Sequence, residues 1–299
     1  MATIDERLAV IQPLNKVWYQ GKVAAMDMLR LDLLHPVISG NKWYKLRLNL
    51  SYAQEHNFKT IVTFGGGYSN HLVATAFAAK EFGLRSVGIV RGQHDVLTPT
   101  LAECRAYGME LLFVTHDDYQ NRHQPEWVEQ MARHFDEILI IPEGGANERG
   151  RKGAGLIDRF VNKSYTHIAL SVGTGTTMAG LRNKLDPQQH VIGFVPMKNS
   201  IEQAHYISEH LSAAHNKNWT LETDNSFGGF GKWKDELLFF MNEFYNDNKI
   251  PLDIVYTSKM MYRLQEMLND NYFSSTDRIL CIHSGGLQGN SSVKDKLKY

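Results

Sequence analysis

Thr60-Ile61-Val62-Thr63-Phe64-Gly65-Gly66-Gly67-Tyr68-Ser69-Asn70-His71 passes from a short β-forming apolar run, through three glycines, to a serine that opens the helix-like segment Asn70–Phe82. Read in that order, it is a strand, a sharp turn and a capped helix. Glycines let the backbone turn tightly and approach a ligand closely. Ser69 is placed to cap the helix, and the N–H groups there can also receive an anion. A cap with no ligand is the plainer alternative.

The same alternation continues outward. Further strand-like runs are Ser86–Val90, Leu111–Val114, Ile138–Ile141, Ile168–Val172, Val191–Val195 and Arg278–His283. Helix-like segments between them are Thr100–Tyr107, Glu126–Phe135, Leu156–Val161, Thr176–Leu185 and Ile201–Leu211. Strands that alternate with helices predict an α/β fold with parallel-rich sheets flanked by helices. No Pro/Gly/Ser-rich linker divides the chain, so two domains would be interwoven rather than strung in series.

In such sheets ligands bind beyond the carboxyl ends of the strands. Three junctions there are rich in Gly, Ser and Thr: 65–70, 173–177 and 284–290. The second, Ser171-Val172-Gly173-Thr174-Gly175-Thr176-Thr177, reads as a phosphate cradle of backbone N–H groups and hydroxyls. It lacks the dinucleotide fingerprint and the acidic residue that would hold a ribose. Earlier in the chain stands Ser39-Gly40-Asn41-Lys42-Trp43-Tyr44-Lys45, followed by the helix-like Leu46–Ala53. A lysine at the positive end of a helix is unfavourable as a cation, which suits an amine whose charge is to be lost or delocalised in an imine. A solvated surface lysine is the ordinary alternative.

Composition narrows the classes. The 299 residues, 43% hydrophobic and 21% charged, describe an ordinary globular protein with no net charge, which gives no footprint for nucleic acid or an anionic membrane. No stretch is long and apolar enough to span a bilayer, and the N-terminus does not read as a secretory signal. A cytoplasmic protein with two buried, reduced thiols, Cys104 and Cys281, is expected. Neither HExxH nor GxSxG occurs, the histidines are scattered, and no metal site is expected. Gly145–Lys152 approaches a P-loop but has Arg151 where the lysine belongs. Ser291-Ser292-Val293-Lys294 imitates the lysine loop of cysteine synthases, in the wrong part of the chain.

Taken together, the motifs resemble the 1-aminocyclopropane-1-carboxylate (ACC) deaminase and D-cysteine desulfhydrase family. The resemblance covers nearly the whole chain. It is carried by Ser39–Lys42 with Lys45, Gly66–His71, Thr174–Thr177 with Ala179-Gly180, Val255-Tyr256 with Lys259, and His283–Gly286, preceded by Leu33-Leu34-His35-Pro36. It implies the type II fold of pyridoxal-phosphate (PLP) enzymes. A smaller α/β domain (50–155) is then inserted into a larger PLP-binding one (1–49 and 156–299), and the protein is a homodimer. By residue, it implies Lys42 as the Schiff-base lysine and Asn70 as the partner of the cofactor's phenolate oxygen. Ser69 would meet the substrate carboxylate or reacting carbon, with Asn70 and His71 beside it. Thr174, Gly175, Thr176 and Thr177 would hold the phosphate, and Tyr256 would stand by the ring.

Departures from the ACC deaminase pattern bear on the substrate. Thr257 replaces the Glu that follows the active-site tyrosine, and Ser284 replaces a Leu. Either hydroxyl is a candidate for facing the pyridine nitrogen, leaving the ring uncharged and the electron sink moderate. Phe230 stands where relatives often have a tyrosine near the substrate, and His71 where ACC deaminases have Gln. The expectation is a lyase that eliminates the β-substituent of a small D-amino acid, from D-cysteine giving pyruvate, ammonia and sulfide. ACC deaminase, a catalytically weak PLP-binding protein and a phosphate-binding module remain as rivals.

Overall fold

A computed structural model describes residues 4–197, 200–223 and 227–299. In chain order its strands are β1 Val10–Pro13, β2 Ala25–Arg30, β3 Thr60–Gly66, β4 Arg85–Arg91, β5 Met109–Val114, β6 Ile138–Ile141, β7 His167–Ser171, β8 His190–Phe194, β9 Trp219–Glu222 and β10 Arg278–His283. The α-helices are α1 Lys16–Tyr19, α2 Asn41–Glu55, α3 Asn70–Glu81, α4 Pro99–Ala106, α5 Pro125–Ala132, α6 Glu148–Gly155, α7 Thr176–Arg182, α8 Ile201–Glu209, α9 Asp235–Asn248 and α10 Thr257–Asn269.

The strands form two sheets. One runs β1-β2-β10-β7-β8-β9 and the other β5-β4-β3-β6. Every pairing is parallel except β1 with β2. All strands of the smaller sheet lie between β2 and β7 in sequence. Residues 60–65 of β3 are buried, as a central strand covered on both faces requires.

The seven strand-like runs all become strands. Three others were not anticipated: β1, β2 and β9. The helix-like segment 156–161 is a 3-10 turn over Leu156–Phe160, and the one from 126 ends at Ala132. The large sheet packs its β7, β8 and β10 residues Ala169, Ile192 and Cys281 against Phe244, Met260 and Leu264 of α9 and α10. Its opposite face meets Met178 and Leu181 of α7.

The helix that carries Lys42 packs with the small sheet. Leu46, Leu50 and Ala53 of α2 share a core with Ile61 of β3 and Ala74 and Ala78 of α3. A division of the chain at 49/50 therefore falls inside α2. Backbone carbonyls clamp the start of this helix, since Gly40 donates to Leu31 and Asn41 to Ser284. Gly40 has φ 64°, and a Cβ there would lie 1.9 Å from the Ser284 carbonyl oxygen. Among the described residues no helix is long and apolar enough to cross a membrane.

Candidate active site

The expected residues come together where the carboxyl ends of the two sheets meet. Gly286, just past β10, marks the junction: a Cβ on it would lie 2.9 Å from the Asn70 side-chain nitrogen and 3.5 Å from the Asp253 carboxyl carbon. Asn70 opens α3 on the small sheet, whereas Asp253 precedes α10 on the large one.

Lys42 is half-buried at the start of α2, and its Nζ donates to Asn41 Oδ1 at 2.7 Å. Burial pulls its amine down to about 8, against the smaller opposing pull of the Asp253 carboxylate. A lysine so placed has an appreciable neutral fraction near physiological pH, the form able to add to a carbonyl. Lys45, one turn on, is buried, and burial together with the Lys42 charge holds it well below its ordinary value.

The glycine–threonine turn lies beside Lys42. Asn41 Nδ2 donates to Thr177 Oγ1 at 2.9 Å, and the Thr174 and Thr176 hydroxyls are 2.8 Å apart. Gly175 has φ 86°, and a Cβ there would come within 3.0 Å of Ile207 and Tyr206. Gly144, past β6, faces the same turn, because its Cβ would lie 2.7 Å from the Thr174 methyl. No side chain caps the first turn of α7. Hydroxyls and backbone N–H groups around side-chain-free positions are the kind of cradle that suits a small anion.

Ser69 caps α3, accepting from Leu72 N at 3.3 Å, and so keeps its own O–H available to donate. His71 turns inward and is only 3% exposed. The Thr63 hydroxyl donates to the Ile141 carbonyl at 2.7 Å, so the 2.9 Å contact between Thr63 and His71 requires His71 Nε2–H to be the donor. That leaves Nδ1 as a buried lone pair without a partner among the described residues. Burial, then the Lys45 and Lys42 charges, hold the imidazole well below its usual value. In this neutral state His71 offers an acceptor, whereas a substrate carboxylate calls for a donor.

Tyr256 is half-buried, and its hydroxyl lies 3.4 Å from where a Gly173 Cβ would sit, at the mouth of the anion cradle. Burial pushes its phenol up, and the Asp253 and Glu143 carboxylates add to that, so it remains a proton donor at neutral pH. The Phe230 ring meets Tyr256 edge-on at 5.7 Å. Lys259, behind them, donates to the Gly229 carbonyl at 2.9 Å.

Thr257, expected by the ring or substrate, has its hydroxyl engaged by the protein itself. It is fully buried, and its hydroxyl donates to Asp253 Oδ2 at 2.6 Å while accepting from the Asp253 N–H at 2.8 Å. The Asp253 carboxylate also receives the N–H groups of Val255, Tyr256 and Thr257. Both oxygens thus have two donors each. The hydroxyl of Ser284, the other candidate for the pyridine nitrogen, has no hydrogen bond among the described residues. His283 holds the turn that carries it: His283 Nε2–H donates to the Pro251 carbonyl at 2.7 Å, and Gly285 N–H donates to His283 Nδ1 at 3.2 Å.

Sequence reasoning gave no role to Asn41 or Asp253. Asn41 adjoins the lysine within the same motif, and an aspartate four residues before a threonine that opens a helix is a capping signal. Lys294 is exposed on the 3-10 turn Leu287–Lys296, beside Tyr245, Lys249 and Tyr299. Both cysteines are free and buried, and burial pushes the Cys104 thiol up to about 12.

The model of the family described as "Pyridoxal-phosphate dependent enzyme" matches residues 26–285. A Pyrococcus horikoshii protein, provisionally named a 1-aminocyclopropane-1-carboxylate deaminase, is 28% identical over 287 residues, covering 90% of this chain and 86% of its own. The Arabidopsis thaliana bifunctional D-cysteine desulfhydrase/1-aminocyclopropane-1-carboxylate deaminase, mitochondrial, is 26% identical, covering 90% of this chain and 74% of its own. A solved structure described as an ACC deaminase homologue superposes with a TM-score of 0.81 at 25% identity, covering 96% of this chain and 92% of that one.

Proposed function

The chain belongs to the family of pyridoxal-phosphate dependent enzymes, and from that premise we propose that it is a lyase that eliminates the β-substituent of a small D-amino acid. The residues present suit the cofactor. The Lys42 amine is there for its aldehyde, the Thr174–Thr177 cradle for its phosphate, and Asn70 and Tyr256 stand between the two sheets for its ring. When bound, PLP supplies an electron-withdrawing ring into which electrons from a broken substrate bond drain. The protein's own groups then decide which bond breaks. Lys42, displaced by the substrate amine, is free to take and return a proton at the α-carbon. The Ser69 and Tyr256 hydroxyls donate to the carboxylate or to the departing group. A homodimer in the cytoplasm, with residues 50–155 as an inserted unit, completes the proposal.

The observation that carries the choice of reaction is the saturated carboxylate of Asp253. It is a buried acid whose charge acts on Lys42 and which lies beside Gly286, yet each oxygen already accepts two hydrogen bonds, one of the four from the hydroxyl of Thr257. With Ser284 as the remaining polar partner, the pyridine nitrogen stays uncharged and the ring is a moderate sink. Loss of a thiolate needs no more than that, whereas opening a cyclopropane asks for stronger electron withdrawal.

The balanced reaction takes D-cysteine and water to pyruvate, ammonia and hydrogen sulfide. The rival takes ACC and water to 2-oxobutanoate and ammonia. The names of the relatives favour both equally. A panel of D- and L-amino acids with ACC, assayed for 2-oxo acid release at matched concentrations, separates them. D-cysteine or β-chloro-D-alanine should turn over faster than ACC, and the reverse order would overturn the proposal.

A further inference from the structure

Asn41 occupies a position that no expectation assigned to it. Its backbone is immobilised by the Ser284 carbonyl and by the close fit of Gly40 before it. Its side chain is 6% exposed and bonded at both ends: Oδ1 accepts from Lys42 Nζ at 2.7 Å, and Nδ2 donates to Thr177 Oγ1 at 2.9 Å. An ammonium can only donate, so the carboxamide must turn its oxygen to Lys42 and therefore its N–H to Thr177.

We infer that Asn41 is a positioning residue whose single carboxamide presets both ends of the cofactor site, the Lys42 amine and the Thr177 hydroxyl. The inference rests on the proposal that these two groups hold PLP. At one end, a neutral Lys42 amine gives one N–H to Asn41 and keeps its lone pair for addition to an aldehyde carbon. At the other, a Thr177 oxygen that already accepts from Asn41 has its own proton left for an anion in the cradle. Two groups 135 positions apart in sequence are thereby set in one geometry by one side chain. A general structural asparagine would stabilise the fold without tuning either group.

The test uses cofactor-free protein reloaded with PLP, or with pyridoxal, which lacks the phosphate and reports on the lysine end alone. Asn41→Ala should weaken PLP binding, read from the yellow absorbance band, by about tenfold or more, the usual loss for a hydrogen bond to a charged group. Asn41→Asp keeps an acceptor for Lys42 but no donor for Thr177. It should raise the pH at which Lys42 reacts with an amine reagent, and it should lower PLP affinity more than pyridoxal affinity. In a cycle with Thr177→Val, the loss caused by Asn41→Ala should be smaller than in the unmodified protein, because the shared bond is already gone. If Asn41→Ala does not fold, Asn41→Asp and the Thr177→Val arm carry the same comparison. Asn41 variants with PLP affinity within twofold of the unmodified protein and an unchanged Lys42 titration would overturn the inference. If Lys42→Ala and Thr177→Val also leave PLP binding unchanged, the underlying assignment of the site fails instead.

Discussion

Thr257 and Asp253 close a reciprocal pair of hydrogen bonds, hydroxyl to carboxylate at 2.6 Å and backbone N–H to hydroxyl at 2.8 Å, in a place with no solvent exposure. The pair sets the entry into α10, and the same carboxylate holds the backbone of Tyr256 through its N–H. Thr257→Val keeps the shape and removes both bonds. It should cost about 1.5–3 kcal/mol, the value for a hydrogen bond to a charged group, seen as a lower urea midpoint at unchanged m. Thr257→Glu, which would restore the ACC deaminase residue, sets a second carboxylate against Asp253 without water and should prevent stable folding. Soluble Thr257→Glu protein of normal stability would show that the pair does not hold α10 as described.

How far such a pair could be read in advance depends on what kind of signal it leaves. β3 and the turn into α3 were legible because a buried parallel strand is an unbroken apolar run, and glycines mark its end. β1 was not: it is a four-residue antiparallel edge ending in Pro13, mostly exposed, and so carries no apolar pattern. β9 is half-buried at every residue. In α9 the spacing of Leu237, Phe240, Met241 and Phe244 was helical and available. The site's residue types were legible from motifs, but their hydrogen-bond partners were not. Nothing local says that the Thr257 hydroxyl is engaged by Asp253, or that the proton on Thr63 fixes the tautomer of His71, since both depend on contacts made after folding.

The identity of the cofactor lysine has a direct test. Lys42 has its amine bonded to Asn41 beside the cradle, Lys45 is buried one turn on, and Lys294 is exposed on the 3-10 turn Leu287–Lys296. Borohydride reduction of yellow protein followed by peptide mapping should place the modification on Lys42. Lys42→Ala should lose the yellow band and still fold, with an unchanged far-ultraviolet circular dichroism spectrum. A label on Lys45 or Lys294 would move the site.

The cradle predicts an effect on affinity rather than on chemistry. With Asn41 donating to its oxygen, the Thr177 hydroxyl is left to donate to the phosphate. Thr177→Ala should weaken PLP binding by about 1–3 kcal/mol while leaving pyridoxal binding nearly unchanged. Equal losses for the two ligands would mean that Thr177 acts on the ring end and the phosphate lies elsewhere.

The lowered amine of Lys42 predicts the pH dependence of loading, and the sign follows from which form reacts. Only the neutral amine adds to an aldehyde. Below the amine's pKa the neutral fraction grows tenfold per pH unit, and above it the fraction is constant. Burial brings Lys42 down to about 8, whereas free lysine side chains titrate near 10.4. Recombination of PLP with cofactor-free protein should therefore accelerate up to about pH 8 and then level off. PLP titrates as well, so the rate is best divided by that of Nα-acetyl-lysine with PLP at each pH, which cancels the cofactor's own ionisation. The ratio should stay flat below about pH 8 and fall above it, because the model amine continues to gain reactivity while Lys42 does not. A ratio that stays flat to pH 10 would give Lys42 an ordinary pKa, and with it a solvated amine rather than the half-buried one bonded to Asn41.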